Sequence, residues 1–294
     1  MYKSGFVTII GRPNVGKSTL LNHIIGEKVS IISDKPQTTR NKIQCVYTEN
    51  DFQVVFLDTP GIHKPKNKLS EHMIKMSKST LGEVDIITFM VDTSMTIGPL
   101  DEYIINEIKG IRTPKILVIN KIDKINKNDV PLLMKNYKDL NIFEDIIPLS
   151  AINGANINEY IEAVKKYLPD GPQYFPADMI TDQPERFIIS ELIREKALNY
   201  LEEEVPHGIF VGIDMIRQRE DKDLLDINAT IYCEKDSHKG IIIGKNGRKL
   251  KGIGKSARID IEKLLGSQVN LQLWVKVEKN WRDKENKIKY FGYE

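Results

Sequence analysis

The chain has few of the features that mark secreted or membrane proteins. It contains only two cysteines, Cys45 and Cys233, far apart and each inside a strand-like segment, so we expect two buried thiols and no disulfide. No apolar run approaches the roughly 18 residues that a membrane span needs, and the first apolar run is too short for a signal peptide. These absences predict a cytoplasmic protein.

A large charge imbalance is also absent. The 43 Lys and Arg residues nearly balance the 41 Asp and Glu residues, and the formal net charge is +2. Bulk charge therefore does not indicate a nucleic-acid partner, and any basic surface must be local. The 294 residues, 40% of them hydrophobic, are enough for two ordinary domains. The sequence does not reveal the oligomeric state, and we take a monomer as the starting hypothesis.

Residues 1–168 alternate short apolar runs with helical patterns. Several runs are continuous in Ile, Val and Leu, as in "DIITFMVD" and "KILVINK", which is typical of strands buried on both faces of a mostly parallel sheet. The alternation predicts an α/β, doubly wound domain that binds its ligand at the carboxyl ends of the strands.

The pattern changes at residues 169–185, where prolines are too dense for a regular element. They are Pro169, Pro172, Pro176 and Pro184. We predict an ordered linker, because Tyr174 and Phe175 within it are suited to packing. Residues 186–294 then read as helix, strand, strand, helix, loop, helix and strand, which predicts a smaller α+β domain.

A phosphate-binding loop is predicted directly after the first strand. The segment "GRPNVGKST" matches the P-loop pattern, with a strand before it and a helix after it. Its backbone N–H groups and the helix N-terminus favour phosphate, Lys17 supplies a charge, and the Ser18 hydroxyl can reach Mg²⁺. The predicted phosphate-binding residues here are Gly11, Arg12, Pro13, Asn14, Val15, Gly16, Lys17, Ser18 and Thr19.

A second phosphate motif, "DTPG", follows the strand "QVVFL". Asp58 at the carboxyl end of that strand can hold Mg²⁺ through water, and Gly61 lets its backbone N–H approach a γ-phosphate. We include Asp58, Thr59, Pro60, Gly61 and Ile62 in the predicted phosphate site.

Two further motifs indicate that the base is guanine. The Asp123 carboxylate of "NKID" can accept both the N1–H and the exocyclic amine of guanine, whereas adenine would leave it unpaired. In "SAING", the backbone of Ser150 and Ala151 can meet the guanine carbonyl. The predicted base site is Asn120, Lys121, Asp123, Ser150 and Ala151.

This order of motifs resembles the translation-factor class of GTPases. The resemblance implies that Thr39 in the loop "SDKPQTTRNK" completes a Mg²⁺ site with Ser18 and, through water, Asp58, while Thr38 lies beside it. Ile62 stands where Ras-like enzymes carry a water-orienting glutamine, so we expect slow intrinsic hydrolysis. In similar GTPases the counterpart of Asn14 helps to hold K⁺ against the phosphates.

We therefore assign the catalytic roles to Asn14, Lys17, Thr39 and Gly61. His63 is a weaker candidate for a base, because a histidine in a polar loop is more often a bystander.

The second domain carries a candidate nucleic-acid clamp. "GKNG" is a G-x-x-G loop between an apolar run and a basic helical segment, as in KH domains of type II. The predicted RNA-binding residues are Ile241, Ile242, Ile243, Gly244, Lys245, Asn246, Gly247, Arg248, Lys249 and Lys251. Trp274 is expected in the core, and for Trp281 core and base-stacking roles are equally open.

A P-loop GTPase domain, a proline-rich linker and one KH domain together resemble the Era family of GTPases over essentially the whole chain. The resemblance implies binding and hydrolysis of GTP, with GDP as product, and a KH domain on the 3′ end of 16S rRNA during 30S subunit assembly. Nucleotide state would act as a switch through the Thr39 loop and the segment after Gly61. Peripheral association with the cytoplasmic face of the cell membrane is implied only by the resemblance.

Three alternatives remain at this point. A tandem-GTPase ribosome factor needs a second P-loop, which this sequence lacks, and a tRNA-modifying GTPase needs an additional N-terminal domain. The chain could also be an RNA-binding scaffold whose nucleotide site has negligible turnover, and Ile62 keeps that alternative open.

Overall fold

The computed structural model describes residues 1–35, 37–62 and 64–293, which form two compact units. The first unit consists of Met1–Ser30, Thr39–Lys66 and Ser70–Asp182. The second consists of Ile31–Thr38, Asn67–Leu69 and Gln183–Glu294.

The first unit is built on a six-stranded sheet in the order β2-β3-β1-β4-β5-β6. Neighbouring strands are parallel except β2, which is antiparallel to β3. The strands are β1 (Lys3–Ile10), β2 (Ile43–Thr48), β3 (Phe52–Asp58), β4 (Ile86–Val91), β5 (Lys115–Ile119) and β6 (Asp145–Pro148). The helices are α1 (Lys17–Ile25), α2 (Lys68–Ser79), α3 (Pro99–Ile108), α4 (Val130–Lys138) and α5 (Ile157–Tyr167).

The apolar runs in the sequence explain which strands lie at the centre of this sheet. Every residue of β3, β4 and β5 is buried, because helices cover both faces of a parallel sheet and leave no solvent side. The P-loop follows β1, Asp58 ends β3, and Asn120 follows β5. Their motifs therefore share the carboxyl edge of the sheet, as the sequence predicted.

The proline-rich segment is ordered as far as Asp182 by contacts within the first unit. The N–H groups of Tyr174 and Phe175 donate to Gln53 Oε1 at 2.8 and 2.9 Å. The Tyr174 ring lies 5.4 Å from that of Phe6, centroid to centroid. The predicted packing of both aromatic residues is confirmed.

The second unit contains a three-stranded sheet in the order β7-β8-β9, with β7 antiparallel and β9 parallel to β8. Its elements are α6 (Glu185–Tyr200), β7 (Phe210–Gln218), β8 (Leu224–Cys233), α7 (Asp236–Ile243), α8 (Arg248–Leu265), β9 (Gln268–Val277) and α9 (Glu285–Tyr290). The order from α6 to β9 is the predicted one, and α9 is an addition to it.

Helix α8 separates an apolar face from a basic one. Ile253, Ala257 and Ile261 follow each other at four-residue intervals and are all buried in the core, as an amphipathic helix requires. Between them, Lys255 and Arg258 are exposed. The residue spacing therefore gives α8 one face that packs in the core and another that is basic and exposed.

One tryptophan differs from the expectation, and the other, which the sequence left open, lies in the core. Trp274, expected in the core, is 43% exposed, because it alternates along β9 with the inward-facing Val275. Trp281 is completely buried, donates its indole N–H to the Gly208 carbonyl at 2.9 Å, and stacks on the ring of Tyr293. The C-terminal aromatic residues that enclose Trp281 carry no periodic signal in the sequence.

The thiols of Cys45 and Cys233 are both free and buried, as expected. Among the helices in the described part of the chain, none combines the length and the apolar character that crossing a bilayer requires.

Candidate nucleotide site and nucleic-acid interface

The P-loop glycines are required by close backbone approach. Gly16 has φ of 107°, and a Cβ atom there would collide with the side-chain amide of Asn120. A Cβ atom on Gly11 would collide with the carbonyl oxygen of Met90. Asn14 adopts φ of 65°. The loop is thus wound tightly against neighbouring backbone at the start of α1.

Lys17 is a buried cation whose ammonium donates to carbonyl groups at long distance. Its ammonium donates to the carbonyl oxygens of Gly11 and Arg12, each at 3.3 Å. Burial lowers the pKa of Lys17 to about 8, although the Asp58 charge acts in the opposite direction. An anionic ligand would compensate the buried charge, which is the role expected for a P-loop lysine.

Hydroxyl groups converge on the buried carboxylate of Asp58. Asp58 Oδ2 accepts hydrogen bonds from Ser18 Oγ at 3.0 Å and Ser30 Oγ at 2.7 Å. The Thr39 Oγ1 atom lies 3.2 Å from Ser18 Oγ. Burial raises the pKa of Asp58, against the effects of Lys17 and these hydroxyls.

The other Asp58 oxygen, Oδ1, is buried and has no hydrogen-bond partner within the described residues. An unpartnered carboxylate oxygen beside two hydroxyls is an all-oxygen donor set, which hard Mg²⁺ prefers. The arrangement of Ser18, Thr39 and Asp58 therefore fits Mg²⁺. Ser30 joins this cluster from outside every motif, so no pattern in the sequence indicated it.

The rest of "DTPG" is held by contacts within the protein. The Thr59 hydroxyl donates to the Ile9 carbonyl at 3.2 Å, and the Pro60 carbonyl accepts from Ser77 Oγ at 2.8 Å. A Cβ atom on Gly61 would lie 3.1 Å from the Pro13 nitrogen, so a side chain here would press against the backbone of the P-loop.

Ile62 is 1% exposed and packs in the core of the first unit. Its side chain cannot orient water, in line with the expectation of slow intrinsic hydrolysis. His63, the weaker candidate for a base, lies outside the described residues.

Asn120 ties the P-loop to the predicted base site. Its side-chain amide donates to the Val15 carbonyl at 2.7 Å, and its Oδ1 accepts the Ala151 N–H at 2.9 Å. The side chain is 3% exposed. Both ends of the Asn120 amide are therefore engaged within the protein, and its role here is to position the two loops.

The backbone donors predicted to meet the guanine carbonyl are also engaged. The Ala151 N–H is directed to Asn120, and the Ser150 N–H donates to the Ala155 carbonyl at 3.1 Å. The turn closes its own hydrogen bonds here, and contact of this backbone with the guanine carbonyl stays a prediction. The Asp123 carboxylate accepts the Ser150 hydroxyl at 2.6 Å.

Lys121 spans from the base motif to the P-loop. Its Nζ atom donates to the carbonyl oxygen of Asn14 at 2.6 Å. Asn14 itself has an exposed side chain. The base motif thus touches the P-loop at both Val15 and Asn14.

The guanidinium group of Arg12 is engaged within the protein. It forms ion pairs with Asp92 and, at 3.2 Å, with Asp101. Burial raises the pKa of the Asp101 carboxyl, although the Arg12 charge acts in the opposite direction. Two carboxylates compensate the Arg12 charge, which leaves only its backbone for a phosphate. These partners lie about 80 residues away in sequence, so no local pattern indicated them.

The "GKNG" loop joins α7 to α8 through backbone that favours glycine. Gly244 and Gly247 have φ of 71° and 72°, and Asn246 has φ of 53°. A Cβ atom on Gly244 would lie 2.7 Å from Lys249 Cβ. Lys245 and Asn246 are exposed at the tip of this turn.

A cleft of about 550 Å³ runs from this loop along α8 and β9. Its lining combines apolar and cationic groups: Gly247, Leu250, Lys251, Gly254, Lys255, Arg258, Asn270, Leu271 and Leu273. A basic rim over an apolar floor suits phosphate on one side and stacked bases on the other.

One residue of the predicted isoleucine platform differs from expectation. Ile241 is 44% exposed, whereas Ile242 is fully buried in the core of the second unit. Consecutive residues on α7 point in different directions, so the three isoleucines cannot share one face.

The fold and site define a P-loop nucleotide-binding protein of the guanine-specific class with a KH domain. The family model described as 50S ribosome-binding GTPase matches residues 6–121, and the KH domain model matches residues 204–282. GTPase Era of Alkaliphilus oremlandii is 63% identical, covering 100% of this chain and 99% of the relative. GTPase Era of Clostridioides difficile is 60% identical, with the same coverage of both chains.

Two solved structures are similar over the whole chain. One is Era in complex with MgGDPNP and nucleotides 1506–1542 of 16S ribosomal RNA, with a TM-score of 0.96, 46% identity and coverage of 100% and 99%. The other is an Aquifex aeolicus Era variant bound to GDP·AlF₄⁻, with a TM-score of 0.95, 46% identity and coverage of 99% of each chain. The chain belongs to the Era family and is a GTPase.

Proposed function

We propose that this GTPase binds the 3′ end of 16S rRNA through its KH domain and acts in the assembly of the 30S ribosomal subunit. The observation that carries the proposal is the basic, apolar-floored cleft beside the "GKNG" loop. The similar Era structure was solved with nucleotides 1506–1542 of 16S rRNA. Its 46% identity over the whole chain supports the same partner here.

The geometry of the first unit supports the nucleotide roles that we propose. The P-loop backbone and the Lys17 ammonium would bind the β- and γ-phosphates, and the Gly61 N–H would approach the γ-phosphate. Ser18 and Thr39 would hold Mg²⁺ directly, and Asp58 would hold it through water. When bound, Mg²⁺ neutralises charge on the phosphate oxygens. Asp123 accepts two hydrogen bonds from guanine, and its bond from Ser150 fixes the carboxylate.

Ile62 cannot orient water for the reaction. We propose that K⁺ compensates by supplying positive charge beside the phosphates. Asn14 lies in the P-loop with an exposed side chain, while its backbone carbonyl is fixed by Lys121. A cation held there would stabilise negative charge developing between the phosphates. The supporting observation is the burial of Ile62, which leaves this position without a group that orients water.

RNA is proposed to lie along α8 with its backbone on the glycine loop. Lys245, Arg248 and Lys251 are exposed and Lys249 is half-buried, so they can neutralise phosphates while Leu271 and Leu273 contact bases. Ile241 and Ile243 extend the apolar surface, and Ile242 supports it from the core. Domains at 1–168 and 186–294, joined by 169–185, remain part of the proposal, as do a monomeric state and peripheral membrane association.

RNA affinity measured by fluorescence anisotropy tests this function. The probe is labelled RNA corresponding to 16S nucleotides 1506–1542, and a scrambled RNA of equal length is the comparison. Lys251→Ala should weaken binding several-fold, whereas Lys276→Ala, which removes an exposed lysine outside the cleft lining, should leave it unchanged. Equal affinity for both RNAs, or equal effects of both substitutions, would refute the proposed specificity.

The potassium proposal is tested by GTP turnover in K⁺ and in Na⁺ buffers of equal ionic strength. Faster turnover in K⁺ for the wild type, and equal turnover in both buffers for Asn14→Ala, is the expected result. A wild type that is indifferent to the cation contradicts it.

A further inference from the structure

A groove of about 1130 Å³ lies between α2 and α3 in the first unit. Its walls come from Lys64 and Pro65, which follow the "DTPG" motif, from the stretch 71–79 of α2 and from the first turns of α3. All of these residues belong to the first unit. None of them is among the residues predicted to bind phosphate or guanine, so the groove is a site distinct from the nucleotide site.

The floor of this groove is apolar. Ile74 of α2 and Leu100 of α3 line it and are half-buried. Tyr103, one turn further along α3, is 41% exposed. Apolar side chains exposed together on a protein surface mark an interaction site. A cleft between two helices has the shape that a third helix fills, because its side chains pack between those of the other two.

The rim of the groove is mainly basic. Lys64 and Lys75 are exposed and have no ion-pair partner within the described residues. Lys78 spans from α2 to α3, where it pairs with Glu107 at 2.8 Å, and its Nζ lies 5.3 Å from the centre of the Tyr103 ring. Glu71 is the acidic residue of the lining. Two lysines therefore remain to pair with a ligand, and the ligand they favour is acidic.

Both walls of the groove are hydrogen-bonded to the predicted phosphate loops. On α2, the Ser77 hydroxyl donates to the Pro60 carbonyl of "DTPG" at 2.8 Å. On α3, Asp101 Oδ2 accepts the Nε–H of Arg12 in the P-loop at 3.2 Å. Asp101 directly follows Leu100 in the groove floor. A shift of either phosphate loop would therefore reach a wall of the groove.

We propose that the groove between α2 and α3 binds an acidic amphipathic helix of a partner protein, with an affinity that depends on the bound nucleotide. Because linkage is reciprocal, the docked helix would change nucleotide affinity by the same factor. The nucleotide dependence rests on the proposed phosphate roles of the P-loop and of the segment ending at Gly61. The docking surface itself does not rest on those roles.

Selection from a displayed peptide library on the full-length chain tests the docking surface. The library presents helices of about 16 residues, or about four turns, with one face randomised. Counter-selection on the Leu100→Glu variant, which places a carboxylate in the apolar floor, removes peptides that bind elsewhere. We expect the enriched peptides to carry apolar residues at helical spacing, flanked by Asp and Glu.

A matched pair of variants tests the apolar floor with one enriched peptide, synthesised with a fluorescent label. Leu100→Glu should weaken its binding about tenfold or more, because the apolar contact is lost. Leu132→Glu makes the same change at a leucine of α4 that is 54% exposed and lies outside the groove lining. This control should bind the peptide like the wild type.

A second matched pair tests the basic rim. Reversing both Lys64 and Lys75 to Glu should weaken binding several-fold and reduce its dependence on salt, because exposed charges are screened by salt. Reversing Lys135 and Lys138, two exposed lysines of α4 outside the lining, should change neither property. Equal effects of the two double variants would refute the charge complementarity.

The same peptide measures the nucleotide dependence. Its affinity is compared with GDP bound, with a non-hydrolysable GTP analogue bound and without nucleotide. We expect the affinities with GDP and with the analogue to differ at least about threefold. Equal affinity in all three states, with the peptide still displaced by Leu100→Glu, would refute the nucleotide dependence while the docking surface stands.

Three results would overturn the docking surface. One is enrichment of basic peptides, or no enrichment over the Leu100→Glu target. Another is binding to phosphatidylglycerol vesicles that Leu100→Glu abolishes, without peptide enrichment, which would assign the groove to a lipid surface. The third is self-association in sedimentation velocity that Leu100→Glu abolishes, which would assign the groove to a second copy of this chain.

Discussion

Asn120→Ala should uncouple the base loops from the P-loop at a substantial cost in stability. The substitution leaves the Val15 carbonyl and the Ala151 N–H without their partner, and both residues are buried. Each buried group left unsatisfied costs about 1–3 kcal/mol. The expected loss in unfolding free energy is therefore about 2–6 kcal/mol, the lower end applying if water enters the space.

The assay combines urea unfolding with GDP titration calorimetry. Thr88→Val is the matched control, since it removes a buried hydroxyl that lies 2.8 Å from the Tyr160 hydroxyl and is far in sequence from every nucleotide motif. The control should lose stability but bind GDP like the wild type. Asn120→Ala should lose both stability and at least tenfold in GDP affinity. If Asn120→Ala keeps wild-type GDP affinity despite the loss of both hydrogen bonds, the role of Asn120 in joining the base loops to the P-loop is refuted.

Three other outcomes follow from the two sites. Asp123→Asn should exchange guanine preference for xanthine preference, since an amide donor suits the 2-carbonyl of xanthine, and competition between GDP and XDP checks it. Removing both Lys245 and Arg248 by alanine substitution should reduce the slope of log affinity against log salt by about 1.4, measured by RNA titration at several salt concentrations. Gly254→Val should narrow the cleft and weaken RNA binding, whereas Trp274→Ala should leave anisotropy titrations unchanged. A larger effect of Trp274→Ala than of Gly254→Val would mean that the bases contact the opposite face of β9.

The parts that sequence predicted are those whose physical cause is local. The continuous apolar runs of β3, β4 and β5 follow directly from burial on both sheet faces. A P-loop between a strand and a helix, and glycine turns such as Gly244 and Gly247, are likewise encoded by neighbouring residues.

The parts that sequence could not predict depend on distant partners. Arg12 fits a phosphate role by position, yet Asp92 and Asp101 bind its guanidinium group. The hydrogen bond from Asn120 to Val15 joins two loops that are about 105 residues apart in sequence. No spacing rule indicates such pairs, because they arise only when strands adjacent in space bring their ends together.

Buried charged residues in helix α6 are a third feature that no sequence pattern indicated. The apolar residues of this segment, at helical spacing, predicted a long amphipathic helix, and the structure has a helix at Glu185–Tyr200. Arg194 and Glu195 lie within this helix and are both buried. Their burial depends on the packing around the helix, which the residue spacing does not show.

The central claim is that one chain couples GTP hydrolysis to rRNA binding. Single-turnover GTP hydrolysis in K⁺ buffer, with and without RNA corresponding to 16S nucleotides 1506–1542, tests it most directly. We expect faster hydrolysis with this RNA and no acceleration with a scrambled RNA or in Gly254→Val. Hydrolysis that is the same with and without saturating RNA, together with equal RNA affinity in the GTP-analogue, GDP and nucleotide-free states, would contradict it.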